Sequence, residues 1–138
     1  TPYQSSCISQ LTKLLFEAYP AEEWFDMCHN PAHAYRAQKI CTNIVAGIYV
    51  RESLSFKDTT TLPSGVNTLP TELKEIAMLG SLEAFVGYFI DNDDTRKDWR
   101  SFCNNSFTAD ADMAQCLALF ETTINDGATP WMERTDLR

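Results

Sequence analysis

The chain carries five cysteines, Cys7, Cys28, Cys41, Cys103 and Cys116, and the chemistry open to them is oxidation to disulfides. No C-x-x-C pair occurs, so neither a zinc knuckle nor a thioredoxin-like redox pair is available. Four of the five fall into a pattern. W-x3-C-x-N-x3-A-x6-C fits residues 24–41 and again 99–116, pairing Trp24 with Trp99, Cys28 with Cys103, Asn30 with Asn105, Ala34 with Ala109 and Cys41 with Cys116. Two occurrences in 138 residues read as an internal repeat, with units at 5–50 and 80–126. A copied module has to hold itself together, which favours the bridges Cys28–Cys41 and Cys103–Cys116 inside each copy. The crossed sets, Cys28–Cys116 with Cys41–Cys103 and Cys28–Cys103 with Cys41–Cys116, also respect a pseudo-two-fold relation and stay open. Cys7 aligns with Leu82 and has no counterpart. It is read as a small buried hydrophobe, with an intermolecular bridge that makes a dimer as the alternative.

Other reactive groups are sparse. His29 and His33 are the only histidines, and Pro31 between them keeps the two imidazoles off a common helical face, so they read as loop histidines and no metal is expected. Asp91, Asp93 and Asp94 resemble the start of a calcium loop. Arg96 then stands where the loop needs Gly and Phe102 where it needs Glu, so the three acids read as a solvated helix start and as an acidic patch for a partner. Asn104 heads an Asn-Asn-Ser glycosylation sequon. There is no G-x-S-x-G, H-E-x-x-H, P-loop or Rossmann fingerprint, hence no expected cofactor and no expected catalytic residue.

The elements that must position these residues are helices. Ile8, Leu11, Leu14, Leu15 and Ala18 make one stripe of an amphipathic helix over 7–19. Pro20 starts a short helix over 21–27, and a longer one runs from Pro31 or His33 to about Tyr49 with Ala34, Ala37, Cys41, Ile44, Val45 and Ile48 on its apolar side. Residues 52–70 lack a helical period and read as a connector. The segment 73–90 is apolar on all sides and is read as the central helix, with Glu83 its only charge after Glu75. That carboxylate either needs a partner in the interior or marks the helix's exposed edge. A second short helix precedes Cys103, and a last helix carries Met113, Cys116, Leu117, Phe120 and Ile124 and stops at Asp126-Gly127. Residues 128–138 are polar except for Pro130-Trp131-Met132, read as an apolar clip.

The expected architecture is an all-α bundle of about six helices in one domain, two helix–short helix–helix units stapled by disulfides. Five cysteines in a chain that starts at Thr1 fit a secreted protein whose signal peptide has been removed. The cysteine spacing lacks the C-x3-C and C-x8-C signatures of the insect odorant-binding proteins, which are also small, acidic and helical. Net charge is −8, and thirteen of the nineteen acids lie in residues 70–138. That balance excludes nucleic acid and anionic membranes as partners, since phosphate recognition needs a basic stripe, and no apolar run is long enough to span a bilayer. The functional expectation is non-enzymatic binding of another protein, of the extracellular ligand, signalling or inhibitor type, with a cationic partner left open by the acidic second half. The alternative is carriage of a small apolar molecule in a cavity bordered by Gly80, Ala84 and Gly87 and by Phe85, Phe89 and Phe120, with Glu83 beside it; an enzyme of unrecognised type comes third.

Overall fold

The computed structural model describes residues 17–56, 60–92 and 98–126. Among them every regular element is helical. A 3-10 turn, Ala21–Glu23, leads into α1, Trp24–Cys28; then come α2, Tyr35–Phe56, a 3-10 turn at Ser64–Thr68, α3, Thr71–Asn92, α4, Trp99–Ser106, and α5, Asp110–Asp126. The expected first helix, 7–19, lies outside the described residues except for its helical end at Glu17 and Ala18, and five α-helices are described rather than about six. Cys7, Asp93, Asp94 and residues 128–138 also lie outside.

Three long helices run in one direction. Tyr35 meets Glu72, Asn43 meets Ile76, and Gly47 meets the backbone of Gly80, so contacts advance together along α2 and α3. Lys74 meets Asp112 and Phe85 meets Phe120, which sets α5 parallel to α3 in the same way. Chain direction is recovered between them by short returns. In α1, Trp24 packs edge-on against Tyr49 and Cys28 is bridged to Cys41, so going forward along α1 means going back along α2. In α4, Trp99 stacks on Phe120 and Cys103 is bridged to Cys116, the same reversal against α5.

The connector makes the remaining return. It is shorter than the expected 52–70, because α2 continues to Phe56, past the expected end at Tyr49. The reason is burial: Val50, Ser53 and Leu54 are all covered, so the added turns hide apolar surface that a loop would have left wet. Leu62, Val66 and Leu69 then anchor the connector in the core. Asn67 stitches it to the α4–α5 corner, donating to the Ser106 carbonyl at 3.1 Å and accepting from the Thr108 backbone N–H at 3.0 Å. The Ser106 hydroxyl accepts from the Leu62 N–H at 3.0 Å.

α2 begins at Tyr35, later than expected. Asn30 holds the preceding residues in a turn, its side chain accepting from the Ala32 N–H at 2.9 Å and its carbonyl from the His33 N–H at 3.0 Å. With this start Cys41 stands about 9 Å up the helix axis, within reach of Cys28 at the end of α1. The buried face of α2 is also rotated from the expected stripe. Gln38, Thr42, Val45, Ala46, Val50 and Leu54 are buried, while Ile44 and Ile48 are only half covered.

That rotation follows from how closely α2 and α3 approach. A Cβ on Gly80 would overlap the Asn43 carbonyl, and one on Gly47 would sit 3.3 Å from the Gly80 carbonyl oxygen. The helices therefore touch backbone to backbone, which only glycine permits. On its other side α3 supplies Phe85 to an aromatic cluster with Phe102 at 5.2 Å and Phe120 at 5.5 Å between ring centroids. This cluster is the centre of the core.

Candidate functional site

The two disulfides are the first chemical feature the fold positions. Cys28–Cys41 and Cys103–Cys116 have Cα atoms 5.4 and 5.6 Å apart and the same sequence separation of 13. Each bridge pins the start of a long helix to the short helix before it.

The first bridge closes a loop that is further organised by one buried amide. Gln38 donates through Nε2 to the carbonyls of Asn30 and His33 at 3.1 and 3.0 Å, and its Oε1 lies 3.1 Å from His29 Nδ1. Carbonyls only accept, so the amide nitrogen must face them and Oε1 must face the imidazole. His29 Nδ1 is therefore the donor in this contact. His33 takes part only through its backbone, and both histidines are exposed. Among the described residues no group of three or more His, Cys, Asp or Glu is placed to hold a metal ion.

Beside this loop lies a shallow concavity of about 550 Å³ lined by Tyr19, Glu23, Asp26, Met27, His29 and Pro31. Tyr19 is 47% exposed, one of two large exposed side chains of apolar type among the described residues, and its carbonyl accepts from Trp24 Nε1 at 2.9 Å. The other is Tyr35, 43% exposed, which donates to Glu72 at 2.8 Å. Partial burial of the phenol, and then the Glu72 carboxylate beside it, hold Tyr35 above the usual tyrosine range.

A second depression, of about 230 Å³, runs between α2 and α3. Asn43, Ile44, Gly47, Ile48, Arg51, Gly80 and Glu83 line it. Glu83 is exposed, so it marks the edge of α3 and needs no partner in the interior. The residues expected around an apolar cavity are thereby divided. Gly80 and Glu83 face this outer groove, Ala84, Phe85 and Phe120 are packed into the core, Gly87 is exposed with open space where a Cβ would stand, and the side chain of Phe89 lies outside the described residues. Phe85 and Phe120 pack against each other and against Phe102.

Of the acidic patch, Asp91 closes the last turn of α3, while Asp93 and Asp94 lie outside the described residues. Asp98 caps α4: its carboxylate accepts from the Arg100 N–H at 2.9 Å and the Ser101 hydroxyl at 2.8 Å. The Ser101 hydrogen bond first, then the backbone N–H groups and the Arg100 charge, hold it below the usual carboxylate range. Asn104 is exposed on α4, and its sequon partner Ser106 is buried under the connector. Sequence reasoning missed Tyr19, Gln38 and Arg51. Gln38 alone left a signal, a polar residue beside the apolar stripe four positions before Thr42, but polarity there reads equally well as solvent exposure.

No helix among the described residues is long and apolar enough to cross a membrane. Comparison with protein-family profiles, with curated proteins and with solved structures returned no match.

Proposed function

We propose that this is an extracellular, non-enzymatic binding protein that recognises another protein, and that its body derives from duplication of one short helix–disulfide–long helix unit. The duplication is supported by register. α1 and α4 begin at Trp24 and Trp99, α2 and α5 at Tyr35 and Asp110, and both offsets equal that of the paired cysteines. The copies have diverged in detail: Trp24 packs on Tyr49 and Trp99 on Phe120, which differ by one helical turn in their distance from the tryptophan. Two disulfides in a chain of this size fit an oxidising, extracellular setting.

One observation carries the recognition reading: an exposed aromatic, Tyr19, at the rim of a concavity that also holds Glu23 and Asp26. Tyrosine concentrates in protein interfaces because it buries a large rigid surface at low entropic cost, and the two carboxylates suit a cationic partner. Engagement of Phe85 and Phe120 in core packing favours recognition over carriage of an apolar molecule.

The test is cross-linking of the immobilised chain to extracellular proteins of its natural source, repeated with Tyr19→Ala and with Glu23→Gln/Asp26→Asn. A salt-sensitive partner weakened by both variants is expected. Partner capture that ignores both, or a small apolar molecule retained in native mass spectrometry with no protein partner, contradicts the proposal.

A further inference from the structure

The α2–α3 groove carries chemistry that the concavity at Tyr19 does not. Its walls meet backbone to backbone at Gly47 and Gly80, so both helices are held too closely there for it to collapse. One turn further along each helix stand Arg51 and Glu83, on opposite walls. Both are exposed, and among the described residues neither side chain makes a hydrogen bond or ion pair, with each other or with anything else. Ile44 and Ile48, half covered, supply the apolar part of the lining, and Asn43 the polar floor.

We propose that this groove binds a small zwitterion of the free α-amino-acid type, its carboxylate on Arg51, its ammonium on Glu83 and its side chain over Ile44 and Ile48. A guanidinium pairs with a carboxylate through two parallel N–H donors, and a carboxylate accepts from an ammonium. A simple anion would satisfy Arg51 but place like charge beside Glu83, and a simple amine would do the reverse. A purely apolar occupant would cover both charges without pairing either. Size agrees, since about 230 Å³ is below the roughly 300–1,000 Å³ that drug-sized ligands use. The groove is remote in sequence and chemistry from the Tyr19 concavity, and the inference stands independently of protein recognition.

The experiment is a titration of the ¹⁵N-labelled protein, with the Gly47 and Gly80 amides as probes because both line the groove. Glycine, L-valine and L-leucine are compared with isobutylamine and 3-methylbutanoate, which are valine without its carboxylate and without its amine. Saturable shifts at both glycines are expected with at least one amino acid, at least tenfold weaker with either analogue, and at least tenfold weaker in Arg51→Gln and in Glu83→Gln. Both substitutions are at exposed positions, and an otherwise unchanged amide spectrum verifies the fold. No saturable shift with any of the three amino acids overturns the proposal, as does equal binding of an analogue or indifference to either substitution.

Discussion

Lys74 Nζ lies 2.8 Å from Asp112 Oδ2, with both side chains mostly covered, and this ion pair ties the second turn of α3 to the first turn of α5. Asp112 gains twice, from the ammonium and from the positive end of its own helix. Removing one partner leaves the other charge stranded where water reaches it poorly. Lys74→Ala is expected to cost about 3 kcal/mol in chemical denaturation, and the double replacement Lys74→Met/Asp112→Leu less than that single change.

The glycines of α3 should respond in opposite ways. At Gly80 a methyl group has no room against the Asn43 carbonyl, so Gly80→Ala must push α2 and α3 apart and destabilise the fold. Gly87 is exposed with open space around it, and Gly87→Ala should raise stability by up to about 1 kcal/mol through helix propensity alone. Thermal melts of the two variants, differing in sign, test the register of the helix pair.

How far the sequence exposed this architecture is plain at those same helices. Hydropathy located α3 to within two residues at each end, because a segment apolar on every side has only one place to go. It misplaced the face of α2, because Gln38 and Thr42 are buried polar residues satisfied by local bonds, Gln38 to the Asn30 and His33 carbonyls and Thr42 to the Gln38 carbonyl. Their satisfaction depends on the turn at Asn30, which no periodicity reveals. The groove at Arg51 was invisible for a related reason: its lining comes from two helices, α2 and α3, that only packing brings together, whereas the concavity at Tyr19 is made within residues 19–31 and depends on how that stretch turns.

Two titrating groups give stability a defined dependence on pH. Asp98 is held below its ordinary value, so its contribution is complete above the unfolded-state value and is lost as pH falls through the folded one. Asp98→Ala should cost about 1 kcal/mol at neutral pH, as helix caps do, and should flatten the acid limb of the stability curve. Glu23, the corresponding residue before α1, makes no side-chain cap, so Glu23→Ala should leave stability nearly unchanged.

Tyr35 works at the other end of the scale. Its value is raised, so the stabilising hydrogen bond to Glu72 is present below the unfolded-state tyrosine value and is lost as pH climbs through the folded one. Ultraviolet titration of the wild-type chain against Tyr35→Phe should show the missing phenol ionising above the ordinary tyrosine range, and Glu72→Gln should move it back toward that range.

Placement of the sulfur bridges is the most direct check on the whole account. Non-reducing digestion with trypsin, which cuts between Cys28 and Cys41, and Asp-N, which cuts between Cys103 and Cys116, separates every pairing by mass. One linked peptide pair joining Cys28 to Cys41 and another joining Cys103 to Cys116 are expected. A linked pair containing one cysteine from residues 24–41 and one from residues 99–116 would contradict the account.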